Sequence, residues 1–168
     1  MVINGNNYGS KVFTTPTDGI ALTSDYKGLF FCQVQGTTLY RISTQFLREN
    51  AGISNTDMDE FNTQVETIGY KEPSDGMKYL NNVLYWGALT ESTTYSITIN
   101  STSHPDMISS NKIFNNDANT MQWLDTFAID LSNNKDLYFV SNKLNLFTTN
   151  KMDFNEDGNM HIMRYVCI

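Results

Sequence analysis

Basic residues are scarce in this chain. Its 168 residues hold 11 Lys plus Arg against 18 Asp plus Glu, a formal net charge of −7. A chain that neutralises nucleic-acid phosphates or docks on an anionic membrane needs the opposite balance, so neither partner is expected. Cysteine is nearly absent. Cys32 and Cys167 make no disulfide framework, and whether they pair with each other stays open. Histidine is limited to His104 and His161. No apolar run approaches the roughly 18 to 20 residues that a membrane helix needs. The stretch Met1–Tyr8 lacks the basic flank and apolar run of a signal peptide, which by itself reads as an intracellular chain.

Apolar matter is ample for a core: 40% of residues are hydrophobic and 12% aromatic. Charged residues make up only 17%, and polarity comes instead from 20 Asn, 19 Thr and 13 Ser. Such side chains favour strands and turns over long helices.

A supersecondary unit recurs three times. The first reads Asp18–Leu22, a polar turn, Gly28–Val34, a tight turn, then Thr38–Ile42. The second reads Ser74–Tyr79, Val83–Leu89 and Thr93–Ile97, and the third Asp125–Asp130, Asp136–Ser141 and Asn142–Phe147. Each is strand, turn, aromatic-rich strand, turn, alternating strand. The anchors Asp18, Asp75 and Asp125 lie 57 and 50 residues apart. A period near 50 with several strands per unit is that of propeller blades, the rival being one antiparallel sandwich. Three antiparallel four-stranded sheets about a common axis, with little helix, are therefore expected. Of the intervening segments, Thr44–Asn50 reads as a helical turn or strand exit, Asp57–Phe61 as an acidic loop, and Thr98–Asn119 as a surface excursion. Three such units cannot close a ring, so a longer chain or self-association is expected.

No catalytic constellation stands out, because the two histidines have no convergent partners in the sequence. Asp153-Phe154-Asn155-Glu156-Asp157-Gly158 copies the first half of a calcium loop, but its twelfth position is Arg164 rather than a bidentate carboxylate. No metal and no cofactor are expected. Cys32 sits in an apolar strand and reads as a small hydrophobe. Asn100-Ser101-Thr102 is a formal N-glycosylation sequon.

Three stretches resemble the major royal jelly protein and yellow family of insects. They are Asp18-Gly19-Ile20-Ala21-Leu22-Thr23 with Gly28-Leu29-Phe30-Phe31 and Leu39–Thr44; Ser74-Asp75-Gly76-Met77 with Val83–Gly87; and Gln122–Phe127 with Leu137–Leu144. Asp153-Phe154-Asn155 with His161-Ile162-Met163 is similar to the family's ending. The resemblance implies an all-β fold, a partial six-bladed β-propeller of about three blades, with residues 1–168 as the C-terminal portion of a member. It implies secretion, the signal peptide lying outside this chain, and a glycan at Asn100. It implies a non-enzymatic protein in which Thr126 and Asn142, with Asp125 beside them, offer polar groups to a small ligand such as a biogenic amine. Leu144 stands where a stacking aromatic is implied. Phe127, Tyr138 and Phe139 are candidates for the apolar wall. The alternatives are a dopachrome-converting enzyme of the melanin pathway, with Asp125 and Asp75 as its proton carriers, or an inactive truncated product.

Overall fold

A computed structural model describes residues 1–8, 17–52, 58–99, 111–132, 136–156 and 158–166 of the chain. The apolar runs fold as strands wherever they alternate. A hairpin of β1 (Val2–Ile3) and β2 (Asn6–Asn7) comes first. The first sheet follows as an antiparallel meander of β3 (Thr17–Leu22), β4 (Gly28–Gln33), β5 (Thr38–Ser43) and β6 (Glu66–Tyr70). Helices α1 (Thr44–Glu49) and α2 (Met58–Thr63) lie between its last two strands. The second sheet runs β7 (Met77–Leu80), β8 (Val83–Ala88), β9 (Thr93–Thr98) and β10 (Asn111–Lys112). The third runs β11 (Trp123–Ile129), β12 (Leu137–Asn142), a short helix α3 (Leu144–Phe147) and β13 (Met160–Tyr165).

Local chemistry sets the turns. Asn81 and Asn82, at φ 49° and 65°, make the two-residue turn between β7 and β8, a left-handed geometry that asparagine tolerates. Between β3 and β4, the Asp25 carboxylate accepts from Thr23 Oγ1 at 2.7 Å and from the Lys27 N–H at 3.1 Å. Ser43 caps α1 by accepting from the Phe46 N–H.

The sheets stack like blades, with first strand against first strand: β3 packs on β7, and β7 on β11. One core fills the space between the first and second sheets, with Phe30, Cys32, Leu39, Leu84 and Trp86 at its centre. Another lies between the second and third, built on Leu89, Trp123, Leu124, Phe127 and Phe139, and the N-terminal hairpin adds Ile3 and Tyr8 to it. The all-β, blade-like expectation holds, and the helices are short, at six, six and four residues.

Three local expectations are corrected. Residues 142–147 are not the third strand of the last unit. The Asn142 side-chain oxygen takes the Leu144 N–H at 2.9 Å, which turns the chain into α3. The third strand is β13, whose Met160 and Ile162 pair with Asn142 and Val140. The described part of 57–61 is helical, not a loop, because Asp59 and Glu60 sit in the first turn of α2, where the helix dipole favours negative charge. The segment read as a surface excursion supplies the edge strand β10, and β6 provides the fourth strand of the first sheet, while the third sheet has three strands among the described residues. The sequon Asn100, His104, Asp157 and Cys167 lie outside the described residues.

Candidate functional site

Asp18, Asp75 and Asp125 occupy corresponding places on the first strands of three successive sheets, or just ahead of them. Their convergence depends on the residue that follows. A Cβ on Gly19 would stand 2.5 Å from the Asp75 carbonyl oxygen, and one on Gly76 would stand 2.2 Å from that of Asp125. Only glycine allows β3, β7 and β11 to approach this closely, so each Asp-Gly pair both supplies a carboxylate and brings it to its neighbours.

Asp75 is the buried member, 8% exposed. Trp123 Nε1 donates to its Oδ2 at 2.6 Å. Burial pushes its carboxyl up to about 7, Trp123 opposes the rise, and the charges of Asp18 and Asp125 add to it. With acidic neighbours on both sides and little access to water, the Asp75 carboxyl is partly protonated near neutrality. Asp125 is raised as well, by burial first and then by Asp18, while the hydrogen bond from Asn142 works against the rise.

Of the four ligand residues expected from the sequence, Asp125 and Asn142 are in direct contact: Asn142 Nδ2 donates to Asp125 Oδ2 at 2.9 Å. The other end of the Asn142 amide accepts from the Leu144 N–H. Asn142 therefore fixes the aspartate, and its side chain is bonded at both ends. Thr126 follows the bulge at Asp125, pairs with Val140 and is exposed. Leu144 opens α3 and packs against the second core. Phe127 and Phe139 stack on each other at 5.4 Å inside that core, so they line no wall, whereas Tyr138 is half-buried on the other side of β12.

Asp18 and Trp123 are the members that sequence reasoning missed as a site. Asp18 served only as a repeat anchor, yet the Asp-Gly pairs at 18–19 and 75–76 carried the signal. Cys32 is a free, buried thiol, and burial raises its pKa. Asp153 accepts from the Asn155 N–H in an ordinary turn, and Arg164 pairs with Asp136. Among the described residues, no group of three His, Cys, Asp or Glu side chains is placed to hold a metal ion.

A protein-family model described as major royal jelly protein matches residues 3–166. No curated protein matches the sequence. Among solved structures, the PQQ-bound aldose sugar dehydrogenase of Streptomyces coelicolor is similar at 14% identity and a TM-score of 0.54, over 88% of this chain and 42% of that one. A gluconolactonase of Xanthomonas campestris is similar at 7% identity and a TM-score of 0.54, over 89% of this chain and 43% of that one. The chain thus spans less than half the length of either. At such identities the likeness concerns the fold, which is part of a six-bladed β-propeller.

Proposed function

The chain belongs to the major royal jelly protein family, and from that membership we propose that it is a secreted, non-enzymatic protein binding a small protonated amine. The site is the cluster of carboxylates on its first strands. In this reading the chain corresponds to the C-terminal portion of the family's propeller, and Asn100 carries a glycan.

The observation that supports the amine is the buried Asp75 carboxyl, which keeps its proton up to about pH 7 between Asp18 and Asp125. Asp18, Asp75 and Asp125 crowd so closely that burial and mutual repulsion hold the Asp75 carboxyl near 7. An ammonium group is a cation with several N–H donors, so it can take the place of that proton and satisfy more than one carboxylate. Asn142 holds Asp125 in position, and Trp123 holds Asp75. Because the amine needs ionised Asp75, affinity rises as pH rises through about 7, and binding near that pH releases protons.

Calorimetry with dopamine and serotonin at pH 6 and pH 8 tests this. Sub-millimolar binding is expected at pH 8 and weaker binding at pH 6. Asn142→Ala should weaken binding by about 1–3 kcal/mol, since it leaves Asp125 without its donor. No heat at either pH, or variants Asn142→Ala and Asp75→Asn that bind like the parent, overturns the assignment.

One observation favours a second reading, that of a dopachrome-converting enzyme. A carboxyl poised near 7 is suited to proton transfer, with Asp75 as the acid–base group and Asp125 beside it. Turnover of dopachrome that disappears in Asp75→Asn would favour this reading over simple binding.

A further inference from the structure

A small hollow of about 190 Å³ opens between the first and second sheets, at the far end of β3 and β7 from Asp18 and Asp75. Thr23 on its rim lies five residues beyond Asp18, roughly 16 Å of extended chain at about 3.3 Å per residue. The β3–β4 turn gives it Ser24 and Asp25, β5 gives Arg41, β7 gives Tyr79, and Phe30 and Ile99 form its apolar part. Two bonds fix the frame. Ser24 Oγ accepts from the Asn81 N–H at 3.3 Å, which ties the turns of the two sheets together, and the Tyr79 hydroxyl donates to Asn82 Oδ1 at 3.0 Å. Tyr79 stacks on Phe30 at 5.4 Å, and the Arg41 guanidinium lies 6.0 Å from the centre of the same ring. The bonds that Asp25 accepts from Thr23 and from the Lys27 N–H hold its carboxyl below the usual carboxylate range, so it stays ionised. The Tyr79 phenol, raised by burial, feels both charges: Arg41 opposes the rise and Asp25 adds to it. Among the described residues Arg41 and Asp25 make no ion pair with each other, and the ion partner of the guanidinium is Glu66, at 3.7 Å.

We propose that this hollow binds a small zwitterion, an α-amino acid with a short aliphatic side chain. A cation and an anion line one narrow space without meeting, so the ligand that suits both carries both charges. Its carboxylate takes the fork of N–H donors on Arg41, and its ammonium donates to Asp25. Glu66 competes little for the guanidinium, because a surface pair at 3.7 Å is weak. The Tyr79 hydroxyl, whose proton goes to Asn82, keeps a lone pair for the ammonium. Phe30 and Ile99 offer the side chain an apolar surface. Size excludes larger ligands, since sites for drug-sized molecules span about 300–1,000 Å³. A simple carboxylate would meet repulsion from Asp25, and a simple amine would meet it from Arg41. The inference does not rest on the amine reading, because the hollow shares no lining residue with the carboxylate cluster.

NMR titration of the isotope-labelled chain tests it, with L-valine as the probe and isovalerate, which is valine without its amino group, as the comparison. Millimolar binding of valine is expected, with amide shifts at Ser24, Asp25 and Asn82, and isovalerate should bind about tenfold more weakly. Asp25→Asn keeps an acceptor for Thr23 and for the Lys27 N–H but loses the charge. It should weaken valine by about tenfold, to the level of isovalerate, and leave isovalerate no weaker than before. Arg41→Gln should abolish binding of both ligands, and Arg41→Lys, which keeps the charge without the fork, should restore part of the valine affinity. Amide spectra of the ligand-free variants report whether each is folded. Several outcomes overturn the proposal: no valine binding up to about 10 mM, isovalerate that binds as tightly as valine, an Asp25→Asn variant that weakens both ligands alike, or shifts that fall outside the hollow.

Discussion

The central strands of the second and third sheets are similar in sequence but differ in surroundings. Val83–Ala88 buries Leu84, Trp86, Gly87 and Ala88, because the second sheet has a neighbour on each face. Leu137–Asn142 buries only alternate residues, Leu137, Phe139 and Ser141, because no sheet among the described residues lies against its other face. Gly28–Gln33 of the first sheet behaves in the same way, burying Gly28, Phe30 and Cys32. A run of apolar residues in a strand thus records the burial its fold is written for, and position in the array decides how much of that burial is realised. The middle sheet should therefore dominate stability, and the outer faces should contribute little to an isolated copy.

The largest effect is expected at Trp86. Its ring is fully buried, stacks on Tyr95 at 5.7 Å, and its N–H donates to Glu72 Oε2 at 3.1 Å. Trp86→Ala removes a large ring from a two-sided core and should cost about 3–5 kcal/mol. Urea unfolding of parent and variant measures it. A loss below about 1 kcal/mol would mean that the middle sheet is no better packed than its neighbours.

Gly76 comes next. A methyl group there would collide with backbone atoms of Asp125 and with the Phe127 ring, none of which can move without parting β7 from β11. Gly76→Ala should cost about 1–3 kcal/mol by overpacking. It should also separate Asp75 from Asp125, and so lower the Asp75 pKa towards the ordinary carboxylate range. Unfolding measurements and a carboxyl titration by NMR read the two effects separately.

Much of this architecture was legible in the sequence, and its limits are instructive. Eight of the strand runs could be placed because turn residues bound them and apolar residues recur along them. Strand β13 was harder to assign because helix α3 and a long turn separate it from β12. The decision to turn at Asn142 lies in one side-chain hydrogen bond, which no periodicity reports. Asp125 and Asn142 were named together from the sequence, and the structure adds that they touch. Asp75 could be named only as a lone proton carrier and Asp18 only as a repeat anchor, since nothing in a one-dimensional pattern says that glycine-bearing strands of different sheets approach within contact distance.

Asp75 gives a smaller effect, read as a slope. Its folded pKa of about 7 lies above the unfolded value near 3.8, so the folded state holds more protons between those limits. Stability should fall as pH rises from about 4 through 7, then level off. Below pH 4 the carboxyl is protonated in both states and contributes no slope. Asp75→Asn, which keeps an acceptor for Trp123 but cannot ionise, should flatten this part of the profile. Unfolding midpoints at pH 4.5, 6 and 8 check the sign. A parent whose stability rises across that interval would place the Asp75 carboxyl below its unfolded value and remove the crowding argument.

The smallest effect is expected at Ile162, and it bears most directly on the comparison of faces. The residue is as apolar as any core position, yet it is 76% exposed and pairs across the ladder with Val140, on the side of β12 that no sheet covers among the described residues. Ile162→Ser deletes surface that water already reaches, so there is little transfer energy to lose. In an isolated copy the change should stay within about 0.5 kcal/mol, as for other exposed substitutions. Urea unfolding of the parent and of Ile162→Ser measures it. A large loss would mean that this face of the third sheet is packed within the chain, and the contrast between middle and outer sheets would fail.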